Sequence, residues 1–240
     1  MLFPEKCATL NKLRGQKTGW AKKMKECCKG IVFDYNGTLF WDTPLHIDAW
    51  FKYCAERGIP LTLEDFYKKV HGRTNEAILK ILFDGKLTPE ESAFEAEEKE
   101  RIYREICVEK NLQLAAGVEE LLDHLKTVGL PFTIATASYL SNVQFFYEFS
   151  RLDRWFRFED LVFLDGTIPG KPDPAMYLKA MQKIGCEPQD VLISEDSPPG
   201  IQSARSAQAG KIILVDSDGR DYSAYPYEVI KDFHEVLDRF

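Results

Sequence analysis

The stretch IVFDYNGT, at residues 31–38, decides the fold predicted for this chain of 240 residues. Its first three side chains are apolar, and a short apolar run of this kind predicts a buried strand. The run ends at Asp34, and Gly37 lets the backbone turn tightly soon afterwards. In open α/β sheets, ligands bind where the carboxyl ends of the strands meet, so a carboxylate in this position predicts a functional site.

Four further apolar runs predict the other strands of the sheet. They occupy residues 132–135, 161–164, 191–193 and 212–215, and the run at 161–164 is the weakest. Helical patterns that end near a glycine lie between them, at residues 118–125, 174–184 and 199–209. Strands that are apolar on both faces suit a parallel sheet covered by helices. The alternation predicts a doubly wound α/β fold with a Rossmann-like core.

Residues 44–111 interrupt this alternation, because only helical patterns occur there. We interpret this segment as an inserted α-helical cap domain, so that residues 30–43 and 112–240 form the core domain. Residues 1–29 remain as a basic N-terminal extension with eight Lys or Arg and two Glu. This extension is interpreted as a solvated leader, or as an over-long start with Met24 as the true first residue.

The composition limits the classes of partner. The formal net charge of −7 disfavours nucleic acid, whose phosphates repel an acidic protein. No apolar run approaches the roughly 18 residues of a membrane span, so we expect no membrane association. The six cysteines show no Cys-x-x-Cys spacing and no nearby zinc-ligand histidines, which favours a reducing, cytoplasmic environment. We expect a monomer or a weak dimer that acts on a small molecule.

Polar side chains follow three of the predicted strands, and a lysine precedes one of the predicted helices. If these strands are neighbours, one crevice collects three carboxylates, two hydroxyls and one ammonium at the carboxyl edge of the sheet. The residues are Asp34, Thr136, Ser138, Lys171, Glu195 and Asp196. A set of this composition suits phosphoryl transfer, in which negative charge must be positioned and neutralised.

Asp34 is predicted to attack phosphorus and to form an aspartyl phosphate, which divides one difficult displacement into two easier ones. A carboxylate and a dianionic phosphate repel each other, and Mg²⁺ relieves this repulsion by bridging them. We expect the side chains of Asp34 and Asp196 and the backbone carbonyl of Asn36 to bind Mg²⁺. Glu195 is expected to complete the metal site by holding a metal-bound water.

Thr136, Ser138 and Lys171 are expected to bind the transferring phosphoryl oxygens, where donors and positive charge stabilise the transition state. Gly37 allows the backbone to turn against the phosphate. Taken singly, these residues have simpler interpretations, since Thr136 could end a strand and Lys171 could be a solvated loop charge. Their combination at one predicted edge of the sheet favours a catalytic site.

Residues Asp34-Tyr35-Asn36-Gly37-Thr38 resemble the D-x-D-G-T signature of the haloacid dehalogenase superfamily. Thr136 after an apolar strand is similar to the second motif of that family, Lys171 to the third, and Glu195-Asp196 to the fourth. All four occur in the expected order. The resemblance implies an enzyme that transfers phosphoryl groups with Mg²⁺, and it adds Gly37 and Thr38 to the substrate-binding residues.

The subgroup of β-phosphoglucomutase and related phosphatases is the most similar, and its members carry a helical cap at the same position. The segments DTPLH at 42–46 and HGRT at 71–74 resemble its cap entrance. The resemblance implies that His46 and Arg73 contact the substrate, although a structural histidine and a surface arginine are simpler alternatives. The mutases carry a phosphate-binding Arg where this sequence has Asn75, which weakens the mutase interpretation.

Asn36 departs from the family pattern, because family members that hydrolyse or transfer phosphate rapidly usually have Asp two positions after the nucleophile. That Asp transfers protons, whereas an amide cannot carry a proton in either direction. Asn36 is either a natural variant or an engineered Asp→Asn change. We therefore predict a slowed, Mg²⁺-dependent phosphatase of a small phosphorylated metabolite. The alternatives are a β-phosphoglucomutase-like mutase and a catalytically feeble phosphate-binding regulatory protein.

Overall fold

A computed structural model of the chain describes residues 28–70 and 74–240. The chain divides into two compact units, of which one is Asp42–Leu112 and the other comprises the segments before and after it. Arg73 and nearly all of the predicted N-terminal extension lie outside the described residues. The assignment of Asp42–Leu112 as a cap stays a prediction, because it depends on the family resemblance.

The larger unit is built on a parallel sheet, and its strands among the described residues are six. They are β1 (Gly30–Phe33), β2 (Phe132–Tyr139), β3 (Val162–Leu164), β4 (Val191–Glu195), β5 (Lys211–Val215) and β6 (Glu228–Ile230). Their order is β3-β2-β1-β4-β5-β6, and every pair is parallel. After β1 the chain adds β2 and then β3 on one side of β1, and it then crosses back to form β4 on the other side of β1. The predicted doubly wound α/β fold is confirmed, and β1 and β4 flank the point where the strand order reverses.

The structure differs from the sequence prediction at both sides of this sheet. β6 is absent from the prediction, because three residues of mixed polarity carry little strand signal. β2 continues to Tyr139, beyond the predicted residues 132–135, and its register against β3 shifts between Ala135 and Tyr139. This longer β2 carries two of the predicted site residues within the strand rather than after it.

The smaller unit is helical. Its helices are α1 (Thr43–Glu56), α2 (Leu63–Asp65), α3 (Asn75–Leu82) and α4 (Pro89–Lys110), and a π-helical turn at Phe66–Val70 extends α2. The long α4 begins at a capping box, in which the Thr88 hydroxyl accepts from the Glu91 backbone and the Glu91 carboxylate accepts from the Thr88 backbone. α1 packs along α4 and buries Ala49 and Tyr53 in this unit.

Helices cover both faces of the sheet in the larger unit. They are α5 (Val118–Val128), α6 (Leu140–Phe149), α7 (Ala175–Lys183) and α8 (Pro198–Ser206), and α6 is a helix that the sequence analysis does not predict. Val32 of β1 shares a buried cluster with Met176 of α7 and Ile201 of α8. On the opposite face, Phe33 lines a small apolar cavity with Leu121 of α5. None of the described helices is long and apolar enough to cross a bilayer.

Candidate active site

Three carboxylates meet where β1 and β4 end. β1 ends one residue before Asp34, and β4 ends at Glu195 with Asp196 following. The two strands are neighbours in parallel register, with Phe33 opposite Ser194, so their ends lie at the same edge of the sheet. All three carboxylates are buried, and each offers an oxygen within 4.8 Å of the others. The predicted crevice of acidic residues is therefore formed.

Lys171 binds two of these carboxylates. Its Nζ lies 2.5 Å from Asp34 Oδ1 and 2.6 Å from Glu195 Oε1. The residue sits in the loop between β3 and α7, and its side chain is buried almost completely. A buried ammonium between two buried carboxylates is well compensated, because each charge has an opposite partner at hydrogen-bond distance.

Glu195 is held by donors on both of its oxygens. Oε1 accepts from Lys171 and from the Tyr177 hydroxyl at 2.9 Å. Oε2 accepts from the backbone N–H groups of Asp196 and Ser197, both at 2.8 Å, and from the Ser197 hydroxyl at 3.0 Å. A Cβ on Gly200 of α8 would lie 1.6 Å from Oε1, so this close approach requires glycine. Glu195 thereby links Lys171, through hydrogen bonds, to Ser197 at the start of α8.

Asp196 is fixed against the turn after β1. Its Oδ1 accepts from the Thr38 hydroxyl at 3.2 Å. Gly37 has φ +75°, and a Cβ there would lie 2.4 Å from Asp196 Oδ2, so both the backbone angle and the space require glycine. The Asp196 carbonyl accepts from the Tyr222 hydroxyl at 2.7 Å and from Arg220 at 3.4 Å. Both sequence-predicted residues of this turn are therefore brought into the site.

The hydroxyls of β2 contact the side chain of Asn36. Oδ1 of Asn36 accepts from Ser138 Oγ at 2.7 Å and from Thr136 Oγ1 at 3.2 Å. The Ser138 backbone N–H also donates to Thr136 Oγ1, at 3.2 Å. These contacts place the amide of Asn36 beside both hydroxyls that the sequence analysis assigns to the phosphoryl oxygens.

Burial dominates the electrostatics of the site. It raises the pKa of Asp34 to about 7, with Lys171 opposing the rise and Glu195 adding to it. It also raises the pKa of Asp196 well above its ordinary value, and the charges of Glu195 and Asp34 act in the same direction. Burial alone would lower the pKa of Lys171, but Asp34 and Glu195 raise it above the usual range. Lys171 is therefore a fixed positive charge.

The donor set fits Mg²⁺. Hard divalent cations prefer carboxylate and carbonyl oxygens, and the three converging carboxylates supply ligands of that type. Among the described residues, the larger unit has two cysteines, Cys28 and Cys186. Neither thiol belongs to the cluster of potential metal ligands. The acidic cluster can therefore hold a magnesium ion, with Asp34 and Asp196 as the side chains least engaged by other donors.

Of the remaining predicted site residues, His46 belongs to the helical unit and Arg73 lies outside the described part of the chain. His46 belongs to α1 of the helical unit, where its Nδ1 lies 2.9 Å from Lys99 Nζ and its Nε2 lies 3.4 Å from Asp42 Oδ2. Its ring stacks on Tyr103, with the centroids 4.0 Å apart. Arg73 is not among the described residues. The substrate contacts of both side chains stay predictions.

The sequence analysis does not predict two tyrosines that contact the site. Tyr177 donates to Glu195, and Lys171 Nζ lies 4.7 Å from the centre of its ring. Tyr222 donates to the Asp196 carbonyl from a loop after β5. The only available signal for Tyr177 is its place on the first turn of the helix after Lys171. Tyr222 lies 26 residues from its partner, and no local pattern connects the two.

Comparisons with known proteins agree with this geometry. A family model described as haloacid dehalogenase-like hydrolase matches residues 28–208. A phosphorylated carbohydrates phosphatase from Thermotoga maritima is 29% identical, with 87% of this chain and 100% of that protein covered. Hexitol phosphatase A from Escherichia coli is 28% identical over 75% of this chain and 80% of its own length. The crystal structure of a HAD hydrolase of family IA, variant 3, from Entamoeba histolytica is 35% identical with a TM-score of 0.80, covering 88% of this chain and 98% of that one.

Proposed function

The chain belongs to the haloacid dehalogenase-like hydrolases, and we propose that it is a phosphatase of small phosphorylated carbohydrates that carries the phosphoryl group on Asp34. The observation that carries this proposal is the buried cluster of Asp34, Glu195 and Asp196 with Lys171 bound between two of its members. The carbohydrate class follows from the names of the relatives from Thermotoga maritima and Escherichia coli.

The proposed reaction begins with attack of an Asp34 oxygen on phosphorus. Lys171 orients that carboxylate through its 2.5 Å contact and places positive charge beside the attacked group. Thr136 and Ser138 present hydroxyls at the same edge of the sheet, and they donate to the phosphoryl oxygens. Water then attacks the aspartyl phosphate and regenerates Asp34.

Mg²⁺ is the proposed cofactor, held by the Asp34 and Asp196 carboxylates and by the Asn36 carbonyl. When bound, it neutralises the repulsion between the nucleophile and the dianionic phosphate. Glu195 already accepts five hydrogen bonds, so we propose that it adds negative charge and anchors Lys171 without binding the ion directly. A water held by Glu195 stays a prediction.

The helical unit is proposed to be a cap that binds the part of the substrate remote from phosphorus, with His46 and Arg73 as the contacting residues. Asn75 of this unit donates to Glu100 Oε1 at 2.6 Å. This is the position at which the resemblance gives mutases a phosphate-binding arginine. A neutral amide paired with a carboxylate is poorly suited to a second phosphate, which favours a phosphatase over a mutase.

Phosphate release from a panel of sugar and polyol phosphates, measured with Mg²⁺ and again with EDTA, tests this function. We expect turnover that needs the metal and is abolished by Asp34→Ala. His124→Gln is the matched control, because His124 lies on α5 and contacts the Phe240 carbonyl at 3.0 Å. Turnover that persists in Asp34→Ala would rule out the covalent mechanism. Phosphate binding without turnover on the whole panel would favour a regulatory role.

A further inference from the structure

The described residues of the larger unit hold few groups that can transfer a proton at the site. Asp34 is the proposed nucleophile, and Asp196 is a proposed metal ligand. Glu195 accepts five hydrogen bonds, and the Lys171 ammonium donates to both Asp34 and Glu195. The protons of Lys171 are therefore directed at these two carboxylates and not at a leaving oxygen. Each ionisable group of the cluster therefore has a proposed role other than proton transfer to the leaving oxygen.

Asn36 occupies the place where a proton donor for the leaving oxygen would be useful. Its side chain accepts from both hydroxyls proposed to bind the phosphoryl oxygens, Ser138 and Thr136. It also lies two residues from the nucleophile. An amide can form hydrogen bonds in this position, but it can neither release nor accept a proton. Stabilisation of the leaving oxygen by this side chain is therefore limited to hydrogen bonding.

We propose that this site selects substrates whose leaving oxygen departs without protonation, such as acyl, enol and aryl phosphates and sugar phosphates esterified at the anomeric oxygen. The inference rests on the proposed phosphatase function and specifies its substrate class. A hemiacetal oxygen is a better leaving group than the alkoxide of a primary alcohol, so anomeric sugar phosphates are favoured over esters of a terminal hydroxyl. The selectivity comes from bond breaking and not from recognition of the sugar.

The bond changes explain where the selectivity arises. An Asp34 oxygen forms a bond to phosphorus as the bond from phosphorus to the leaving oxygen breaks. The leaving group keeps the electron pair and takes its proton from solvent. In the second step a water oxygen bonds to phosphorus, the bond to Asp34 breaks, and the water loses its proton to solvent. Because Asn36 cannot accept that proton, the second step is slow and phosphorylated Asp34 accumulates with good leaving groups.

The test compares substrates that share the phosphoryl group and differ in the leaving group. Acetyl phosphate and an aryl phosphate represent good leaving groups, and glucose 1-phosphate and glucose 6-phosphate form a pair that shares one sugar. Steady-state kcat/KM is measured for the chain with Asn36 and for Asn36→Asp, with mass spectrometry to detect the phosphoenzyme. Asn111→Asp is the control, because it makes the same chemical change at an exposed residue that ends α4.

In the chain with Asn36, kcat/KM should fall steeply from acetyl phosphate to glucose 6-phosphate, and the phosphoenzyme should accumulate with acetyl phosphate. Asn36→Asp should flatten this series by raising turnover of the poorest leaving group roughly 10²–10⁴-fold, the usual effect of a positioned acid. Asn111→Asp should leave the series unchanged. The substrate series of the chain with Asn36 remains decisive by itself if Asn36→Asp does not fold.

Equal kcat/KM for glucose 6-phosphate and acetyl phosphate in the chain with Asn36 would overturn the leaving-group inference while leaving the phosphatase function intact. In that case another group protonates the leaving oxygen, and His46 of the helical unit is the first to examine. A separate outcome distinguishes failure of the proposed phosphatase function from failure of the leaving-group inference. If neither form releases phosphate or forms a phosphoenzyme with any substrate, the proposed function itself is wrong.

Discussion

Replacement of Lys171 by Met should destabilise the protein strongly and in a pH-dependent way. The Lys171 side chain is 5% exposed, and its two partners, Asp34 and Glu195, are 8% and 0% exposed. Methionine removes the positive charge and leaves both carboxylates buried without it. Breaking a buried pair in this manner costs about 3–5 kcal/mol, a large share of the roughly 5–15 kcal/mol that stabilises most domains.

The sign of the pH dependence follows from Asp34. Its folded-state pKa is raised to about 7, whereas an unfolded Asp titrates near about 3.9. Between these values the folded state binds the proton more tightly, so this group's contribution to stability falls as the pH rises from about 4 to 7. In Lys171→Met the opposing positive charge is gone and the pKa of Asp34 rises further. The loss should therefore be smaller at pH 5 than at pH 8.

Urea unfolding of the metal-free protein at pH 5 and pH 8 measures both effects. Lys29→Met is the matched control, since Lys29 pairs with Asp190 at 2.8 Å but is 69% exposed, and an exposed ion pair contributes little to stability. The m-value should stay constant if only the folded state changes. A loss for Lys171→Met no larger than that of the control, or one equal at both pH values, would refute the reasoning.

The remaining predictions concern the same edge of the sheet. Gly200→Ala should abolish turnover while leaving the far-UV circular dichroism unchanged, because the new Cβ would lie 1.6 Å from Glu195 Oε1 and must displace that carboxylate. Mg²⁺ affinity, measured by titration calorimetry, should weaken as the pH falls below 7, by up to about tenfold per pH unit for each proton that Asp34 and Asp196 must lose to bind the ion; a flat profile would argue against both carboxylates as ligands. Ser194→Ala should raise the melting temperature slightly, because the buried Ser194 hydroxyl has no hydrogen-bond partner among the described residues and such a group costs about 1–3 kcal/mol.

The sequence predicts the convergence of the three carboxylates, because each of them lies at the end of a predicted strand. Asp34, Glu195 and Asp196 each follow or end a short apolar run, and parallel strands must bring such ends to one edge. The order of the strands is harder to predict, because it depends on crossovers that leave no local pattern. The prediction needed only that β1 and β4 be neighbours, and the observed register satisfies that condition.

Features that depend on tertiary packing are the ones that the sequence does not predict. β6 is three residues long and gains its identity only from pairing with β5. Tyr177 is identifiable as a buried helical residue, but its hydrogen bond to Glu195 depends on how α7 lies against the sheet. Tyr222 reaches the Asp196 carbonyl from a loop. Periodicity reports which face of an element is buried, and not which polar atom a buried hydroxyl meets.

The charge of the site connects its metal requirement with Asn36. With three carboxylates ionised against the Lys171 ammonium, the buried cluster is doubly negative, which a divalent cation compensates. Protons compete for the same charge, as the raised pKa values of Asp34 and Asp196 indicate. The side chain of Asn36 lies beside the hydroxyls of Thr136 and Ser138, and it holds no proton that it can donate to a leaving oxygen. Asn36→Asp would supply an ionisable group at this position, whereas the chain with Asn36 relies on the leaving group.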